Sequence, residues 1–380
     1  MKPTANKRAT VKSAKKEDER QAYEKTTVAL EDLLSSSTTK TFRPQTLRDA
    51  AAITIKAAAS ASSLHAARKR MKKGKSRRQA AKTLESLDLK TTLKEANKHF
   101  RRQARRLFGD KPVTVSMDLH DVPYHGKPFK EANEVRGGKQ KDGTRRFHAY
   151  ATAYANEGRK RITLAMVFVP NHSSMRSVVR ELLELVRRAG VQIERLLLDK
   201  GFFSVDVIRL LKRFSIPLIM PLKGNRLKKK RGSYKTFYVV KTVAGGVCRE
   251  ERVRAYSVVK YDAGKRFKRR GSRHWQYISW GVRLTPKQVA VEYRKRFGIE
   301  SSYKLLKKAR PRTSSRNPAY RVFLLAASFF LQNAWVEVKR VFCWRVPRWS
   351  EDFVSFRDFL DAMLAVVRGL YGEVTGFGPP

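Results

Sequence analysis

A run of leucines that ends on an aspartate constrains the fold of this chain more than any other feature. Leu196, Leu197 and Leu198 are consecutive, and an uninterrupted apolar run is typical of a strand that is buried on both faces. Asp199 follows at once, and then a glycine and an amphipathic run that predicts a helix. Open α/β sheets bind their ligands at the carboxyl ends of such strands. The sequence therefore predicts an α/β fold with Asp199 at a functional edge, although an Asp before a glycine also commonly caps a turn.

A second acid ends another predicted strand. Residues 113–120 read VTVSMDLH, with apolar residues at the odd positions and polar residues at the even ones. Strict alternation predicts a half-buried strand, with Asp118 on its polar face near the end. Turn residues follow at Pro123 and Gly126. Asp121 is the rival, because it could be the functional acid while Asp118 caps the strand, but the alternation favours Asp118.

A third acid lies in Thr285 to Lys307, TPKQVAVEYRKRFGIESSYKLLK. Thr285 suits the cap of a helix and Pro286 its first position, so we predict one continuous helix. Four polar side chains would share a stripe about 60° wide on it: Tyr293, Arg296, Glu300 and Lys307. A carboxylate flanked by cations suits a metal-dependent enzyme that acts on phosphodiesters. The alternative is a solvated helix with ordinary ion pairs.

The spacing Y-x2-R-x3-E-x6-K of this helix resembles the Y-R-E-K signature of DDE-type insertion-sequence transposases, the group named after IS-four. Two upstream segments resemble the same family. The stretch from Asp118 through Pro123 to Tyr124 is similar to its first acidic segment, and Asp199 to Phe202 (DKGF) is similar to its D-[RK]-G-[FY] pattern. The resemblance extends over roughly residues 110 to 335.

This resemblance implies a fold, a reaction and a site. The fold would be an RNase H-like catalytic core, with Asp118, Asp199 and Glu300 as catalytic residues that bind two Mg²⁺ or Mn²⁺ ions. Such enzymes cut and join the ends of an insertion sequence, and they act as homodimers on double-stranded DNA. Tyr293, Arg296 and Lys307 would then hold phosphates of the DNA.

The charge of the chain agrees with a nucleic-acid partner. Lys and Arg total 84 against 33 Asp and Glu, a net charge of +51, which points to a polyanion. A phosphate-sized basic cluster is expected on a helix near residue 100; its members are Arg101, Arg102, Arg105 and Arg106. This cluster could recognise the DNA ends, or it could be a nonspecific electrostatic anchor.

Composition shifts predict six consecutive regions. They are a basic flexible tail (1–24), a helical DNA-binding region (25–110), the first part of the core (111–222), a β-rich insertion (223–281), the second part of the core with the glutamate helix (282–340), and a C-terminal helical region (341–380). Trp275 and Trp280 lie near the end of the insertion, where related enzymes stack an aromatic ring on a base pulled from the duplex. We single out Trp280 as a DNA-binding candidate, although a Trp in a strand is more commonly part of the core and many relatives have Asn near this position.

Other features predict a reduced, cytoplasmic protein that works on the nucleoid and not in a membrane. The two cysteines have no neighbours at zinc-ligand spacing, and the charged amino end lacks the apolar core of a secretory signal. The apolar run from Val322 to Val336 is short for a membrane span and predicts a buried helix. Two other functions fit the same sequence: another nuclease of this fold, and a noncatalytic nucleic-acid-binding protein that is a decayed copy.

Overall fold

The computed structural model describes residues 5–109, 111–157, 160–224, 226–244, 247–262, 271–345 and 355–374. The chain forms two compact units. The first comprises Met1–Gln103, Pro123–His148 and Ser302–Pro380, and the second comprises Ala104–Val122 and Ala149–Ser301. Both units are therefore assembled from separate stretches of the chain, whereas the sequence predicts consecutive regions.

The described residues form α-helices joined to a β-sheet. The helices are α1 (Ala5–Ser37), α2 (Pro44–Ala59), α3 (Leu64–Lys69), α4 (Arg77–Glu85), α5 (Leu89–Phe108), α6 (Met175–Arg188), α7 (Val205–Arg213), α8 (Pro286–Arg294), α9 (Gly298–Lys308), α10 (Pro318–Arg345) and α11 (Phe356–Tyr371). The strands are β1 (Val113–Pro123), β2 (Arg136–Lys141), β3 (Thr144–Glu157), β4 (Lys160–Phe168), β5 (Ile193–Leu198), β6 (Leu218–Pro221), β7 (Tyr234–Ala244), β8 (Val247–Asp262) and β9 (Gly271–Trp280). The α/β class predicted from the sequence is confirmed.

The first unit is built around α10. Its apolar side chains pack against α1 and α2, and α11 packs on the same two helices. The ring of Phe100 lies 5.2 Å from that of Phe330 and 6.2 Å from that of Phe329. A buried hydrogen bond of 2.9 Å from the Asn333 side-chain amide to Gln103 satisfies polar groups in this core. The helical character predicted for residues 25–110 is present, but these helices share a core with the C-terminal part of the chain.

The apolar helix α10 is longer than the run that predicts it. Within the described residues, the 24-residue segment Pro318–Val341 of α10 is long and apolar enough to cross a membrane. In its most apolar stretch, 83% of the residues are buried inside the structure. The core helix of a protein that is not in a membrane meets the same criteria of length and composition. Its burial against α1 and α2 agrees with the prediction of a buried helix.

The prediction of a flexible amino-terminal tail is wrong for part of that segment. We expected residues 1–24 to be flexible because they are strongly charged, but α1 begins at Ala5 and continues without interruption to Ser37. Residues 1–4 lie outside the described part. Ala, Lys, Glu, Arg and Gln dominate this segment, and all five residue types have high helix propensity. These residue types favour a helix, although the high charge of the segment suggested a flexible tail.

The second unit contains a long mixed sheet. Its strand order is β3-β1-β5-β6-β9-β8-β7, and β4 pairs with β3 at one end. β1, β5 and β6 run parallel to one another, whereas β9, β8 and β7 add antiparallel strands, as expected for a β-rich insertion. Because β1 and β5 are neighbours and parallel, their carboxyl ends meet at one edge of the sheet.

Strand β1 differs from its prediction in burial. The sequence predicts one buried face and one polar, half-exposed face, but Thr114 and Ser116 on the polar face are 4% and 0% exposed. The Asn156 side chain donates a 2.6 Å hydrogen bond to the Ser116 hydroxyl, which satisfies part of this buried polar face. β1 is thus a central strand, buried on both faces until Asp118.

Candidate functional site

Asp118 and Asp199 meet at the carboxyl edge of two adjacent parallel strands. Met117 on β1 pairs in register with Leu198 on β5, so each aspartate is the next residue after a paired position. Leu196, Leu197 and Leu198 are each 0% exposed, which confirms the predicted buried strand. The Asp199 side chain makes no capping hydrogen bond to the 3₁₀ turn that follows. Asp199 therefore does not cap this turn.

A buried arginine joins the two aspartates. The Arg296 Nη2 lies 3.1 Å from Asp199 Oδ1, and its Nη1 lies 3.5 Å from Asp118 Oδ2. The Arg296 side chain is 7% exposed, and those of Asp118 and Asp199 are 15% and 38% exposed. Within the described residues, the Nε and Nη1 atoms of Arg296 have no hydrogen-bond acceptor. Buried donors without acceptors are costly, so this guanidinium can accept a further anionic partner.

The environment of Asp118 favours its protonated form. Burial is the main reason that the pKa of its carboxyl is raised to about 6; Arg296 and the backbone amide of Leu119 act to lower it, and the charges of Asp199 and Glu300 act to raise it. That amide donates a 2.9 Å hydrogen bond to Asp118 Oδ1. An added cation at this place would lower the pKa again and stabilise the ionised carboxylate. Asp118, and not its rival Asp121, is the residue of β1 in this cluster.

The predicted single helix from Thr285 to Lys307 is interrupted, which is a correction. α8 ends at Arg294, Lys295–Phe297 form a 3₁₀ turn, and α9 begins at Gly298. The start of α8 agrees with prediction, because Thr285 and Gln288 form a capping box with Pro286 in the first turn. A 3₁₀ turn advances about 120° per residue instead of 100°. Three such residues rotate α9 by roughly 60° relative to α8, so the four predicted side chains do not form one stripe.

Glu300 lies in the first turn of α9, exposed, and near enough to Asp118 to raise its pKa. It does not complete a metal cluster with the two aspartates. Among the described residues, no three acidic, histidine or cysteine side chains are grouped closely enough to hold a metal ion. The structure therefore brings Asp118 and Asp199 together on one cation, which is Arg296, with Glu300 close by. This is looser than the predicted convergence of three carboxylates.

Tyr293 is placed differently from its prediction. Its side chain is 3% exposed and lies in a core cluster with Leu197 and Tyr277. The hydroxyl donates a 3.2 Å hydrogen bond to the backbone oxygen of Leu198, and burial strongly raises its pKa. A direct contact with a DNA phosphate does not fit a hydroxyl held inside the core. Tyr293 instead fixes the end of α8 beside the strand that carries Asp199.

A basic residue that sequence reasoning missed lies beside this site. A Cβ atom placed on Gly298 would lie 1.7 Å from the Arg161 Nε, so the Arg161 side chain passes directly over the backbone at the start of α9. Burial lowers the pKa of Arg161 from its ordinary value, although an arginine stays charged in proteins. Arg161 is on β4, and no motif in the sequence links it to Glu300 or Arg296. The sequence signal for a close contact at this place was Gly298, two residues before Glu300.

The donor chemistry of the site suits hard divalent cations. Asp118, Asp199 and Glu300 offer carboxylate oxygens, which Mg²⁺ and Mn²⁺ prefer. The guanidinium of Arg296 supplies the positive charge between the aspartates. A metal ion held by both aspartates would share their carboxylates with Arg296, which contacts one oxygen of each.

No contact in the structure joins the remaining predicted residues to Asp118, Asp199 or Arg296 within the described part of the chain. Lys307 is exposed in the last turn of α9, in a residue range that belongs to the first unit. In the arginine cluster of α5, Arg102 forms a 3.3 Å ion pair with Asp32, and Arg105 donates a 3.3 Å hydrogen bond to the backbone oxygen of Arg188. Arg102, Arg105 and Arg106 thus all have interactions within the protein.

Trp280 ends β9 and lines a cavity of about 440 Å³ in the second unit. Basic and aromatic residues share its wall, namely Phe237, Arg252, Arg254 and Arg283. Phe237 is 57% exposed, and the Arg252 guanidinium lies 4.4 Å from the centre of its ring. Trp275 is 40% exposed on the same strand as Trp280 but does not line this cavity. The sequence indicated the Trp but not the cations and Phe237 around it.

A family model and a solved structure are similar to this chain. The model of the family described as "Transposase DDE domain" matches residues 109–333. Among solved structures, the chain is similar to the piggyBac transposase in a synaptic complex with hairpin DNA, at a TM-score of 0.54 and 10% identity, over 93% of this chain and 78% of that one. At this identity the likeness concerns the fold alone. A comparison with curated proteins gave no match.

Proposed function

This chain belongs to the transposase DDE domain family, and we propose that it is a DNA transposase of the Y-R-E-K group that cuts and joins the ends of an insertion sequence. The observation that carries the proposal is the pair of aspartates, Asp118 and Asp199, bound to one buried arginine at the carboxyl edge of the sheet. Asp118 and Asp199 on adjacent strands and Glu300 on a later helix also support an RNase H-like core.

The reaction has two steps. Water attacks a phosphodiester at the end of the element and releases a 3′-hydroxyl, and this hydroxyl then attacks a phosphodiester of the target DNA. Asp118, Asp199 and Glu300 would hold two Mg²⁺ or Mn²⁺ ions. When bound, such ions activate an attacking oxygen and stabilise a leaving one. The raised pKa of Asp118 supports this role, since added cations favour its ionised form.

Arg296 would bind the phosphate group at which the bond is cut. Its buried Nε and Nη1 atoms lack acceptors within the described residues, and phosphate oxygens are strong acceptors for arginine. Tyr293 would act as a positioning residue, because its hydrogen bond to Leu198 holds the chain three residues before Arg296. Arg161 would add a further positive charge beside α9.

Trp280 and its cavity would receive an unstacked base. An aromatic ring binds a base by stacking and nearby arginines bind its phosphates, and the wall of this cavity combines both. A Trp280→Ala variant should then cut or join DNA more slowly, whereas Trp275→Ala, on the same strand outside the cavity, should act like the wild type.

The DNA partner is duplex DNA of the element ends and of the target. The net charge of +51 and the arginines of α5 support binding to phosphates. We further propose that the protein acts as a homodimer on paired ends, in the cytoplasm, on nucleoid DNA.

The central experiment separates binding from catalysis. Glu300→Gln removes a charge but little volume, so it should bind an end-containing duplex as the wild type does and fail to cleave it with Mg²⁺. Glu184→Gln, which changes a half-exposed acid of α6 that pairs with Arg188 at 4.0 Å, is the matched control and should cleave normally. Cleavage without joining would indicate another nuclease, and binding without either reaction in the wild type would indicate a noncatalytic DNA-binding protein.

A further inference from the structure

Strand β2 and the first residues of β3 form a tight hairpin in the first unit. We call residues 136–147 the ribbon. Lys141 pairs with Thr144, so only Asp142 and Gly143 connect the strands. Their φ angles are +49° and +78°, and two positive φ values in a two-residue connection define the type I′ turn that matches the twist of paired strands. The turn is therefore a fixed structure and not a loose loop.

The base of the ribbon is held firmly. Phe147 is 2% exposed, and a Cβ atom on Gly138 would lie 3.0 Å from its ring, so the glycine permits the strand to pass close to it. The backbone amide of Tyr124 donates a 2.9 Å hydrogen bond to the carbonyl of Arg146, and the Thr144 hydroxyl donates one of 2.9 Å to the carbonyl of Tyr124.

The rest of the ribbon is exposed on both faces. Residues 137–143 are all exposed, and so are Arg145 and Arg146. An isolated two-stranded hairpin is at best marginally stable in water, and this one covers no core with its outer part. The ribbon is therefore an exposed arm of its unit, and its turn lies near His125, whose ring would be 3.7 Å from a Cβ atom on Gly143.

The arm is basic. Beside Arg146, which donates a 3.4 Å hydrogen bond to the backbone oxygen of Gly126, it carries three further exposed cations, Lys139, Lys141 and Arg145, against a single acid, Asp142, whose place is set by the turn. Among the described residues, none of these three cations forms an ion pair. Because Lys141 pairs with Thr144, and Arg145 is the next residue, Lys141 and Arg145 point to opposite faces.

We propose that the ribbon enters the major groove of duplex DNA and contacts the phosphates of both strands. This inference depends on the proposed function only for the identity of the polyanion. A β-layer with its side chains is about 10 Å thick, which suits a major groove about 12 Å wide and exceeds a minor groove of about 6 Å. With the turn pointing inward, the opposite faces of the ribbon oppose the two backbones, and each has a cation to bind one.

The test measures binding of the full chain to a duplex over a range of salt concentrations. Changing Lys139, Lys141 and Arg145 together to Gln should lower the salt slope by about 2.7, for three lost phosphate contacts. Between 50 and 200 mM salt, the wild type should then lose roughly 40-fold more affinity than the variant. The control changes Arg176, Arg180 and Arg187, exposed cations of α6, to Gln. It removes the same charge and should leave the slope close to the wild-type value.

Two further measurements test the groove and the shape. Gly143→Val keeps every charge but forbids the turn, since a β-branched residue is strained at positive φ, so it should weaken binding as well. A duplex whose major groove is filled by glucosylated cytosines should reduce the affinity of the wild type and make the affinities of the wild type and the triple-Gln variant nearly equal.

Equal losses of affinity in the triple-Gln variant and the α6 control, or full binding by Gly143→Val, would overturn the proposal. Failure of the wild type to bind any duplex would overturn the proposed function together with it, whereas the Glu300→Gln result bears on the proposed function alone.

Discussion

The hydroxyl of Tyr293 donates a 3.2 Å hydrogen bond to the backbone oxygen of Leu198, the residue that precedes Asp199. This bond ties α8 to the end of β5 where the acidic cluster begins. A second contact has the same effect, because Arg195 on β5 forms a 2.6 Å ion pair with Glu292 on α8. The helix is thereby fixed to the strand, and the turn after it delivers Arg296 to the aspartates. The geometry of the site depends on this junction.

Tyr293→Phe should therefore reduce activity more than stability. The ring can remain in its cluster, while the loss of one buried hydrogen bond costs about 1 kcal/mol of unfolding free energy. The carbonyl of Leu198 would shift relative to Arg296, and single-turnover cleavage should fall. Tyr277→Phe is the matched control, since Tyr277 belongs to the same cluster, whereas the bond to Leu198 comes from Tyr293. Equal cleavage by both variants would mean that Tyr293 has only a structural role.

The raised pKa of Asp118 predicts a pH dependence of stability. Its value rises from 3.8 to about 6 in the folded protein, so between these pH values the folded state holds a proton that the unfolded state has released. The stabilisation is complete below pH 3.8 and is lost as the pH rises through about 6. The full shift corresponds to roughly 3 kcal/mol.

Chemical denaturation of wild type and Asp118→Asn between pH 4 and 7, without divalent ions, measures this effect. Relative to the wild type, the variant should gain stability as the pH rises, because it has no buried carboxyl to ionise. The difference must be taken between the two proteins, since burial of His148, with the charge of Arg321, lowers the pKa of that imidazole to about 3 and changes stability in the opposite direction. The same profile change in Asp121→Asn would assign the role to the rival acid.

Local patterns predicted the parts of the site that depend on neighbouring residues in the sequence. The leucines before Asp199 and the cap at Thr285 need only the chemistry of one strand end and one helix start. The 3₁₀ turn at Lys295–Phe297 left no pattern, because its residues differ little from those of an α-helix. Arg161 had no motif of its own, since it reaches Gly298 through the fold of the sheet, and the glycine alone did not identify its partner.

Burial was the other quantity that the sequence could not supply. Tyr293 and Arg296 are three residues apart and both polar, so helical spacing treats them alike. In the structure both are buried, at 3% and 6% exposed, yet the Tyr hydroxyl is satisfied by a backbone carbonyl and the Arg has donors to spare. Which of two buried polar groups remains available depends on tertiary partners, and those partners, Leu198, Asp199 and Asp118, are distant in the sequence.

The arginines of α5 offer a test of DNA binding against intramolecular pairing. Reversing the charge of Arg101, Arg102, Arg105 and Arg106 should weaken DNA binding and flatten its salt dependence by up to about 3.6 in slope, because counterion release scales with phosphate contacts. A swapped pair, Arg102→Asp with Asp32→Arg, is the control for the exposed ion pair at 3.3 Å. It should keep the stability and the net charge while still losing the phosphate contact of residue 102. An unchanged slope in the fourfold variant would remove this helix from the binding surface.

Lys307 separates the two interpretations of the glutamate helix most sharply, and its neighbour provides the control. Lys307 and Lys308 are both exposed in the last turn of α9, and consecutive helical residues point about 100° apart. If Lys307 binds a phosphate of the transferred strand, Lys307→Ala should slow cleavage or joining at least tenfold, which requires only about 1.4 kcal/mol of lost transition-state stabilisation. Lys308→Ala should leave the rate unchanged, and each variant should alter stability by no more than a few tenths of a kcal/mol.

The measurement is single-turnover cleavage of an end-containing duplex at equal concentrations of folded protein. Equal rates for wild type and both variants would reduce Lys307 to a solvated helix residue, and the proposed transposase function would then depend on Asp118, Asp199 and Glu300 without it.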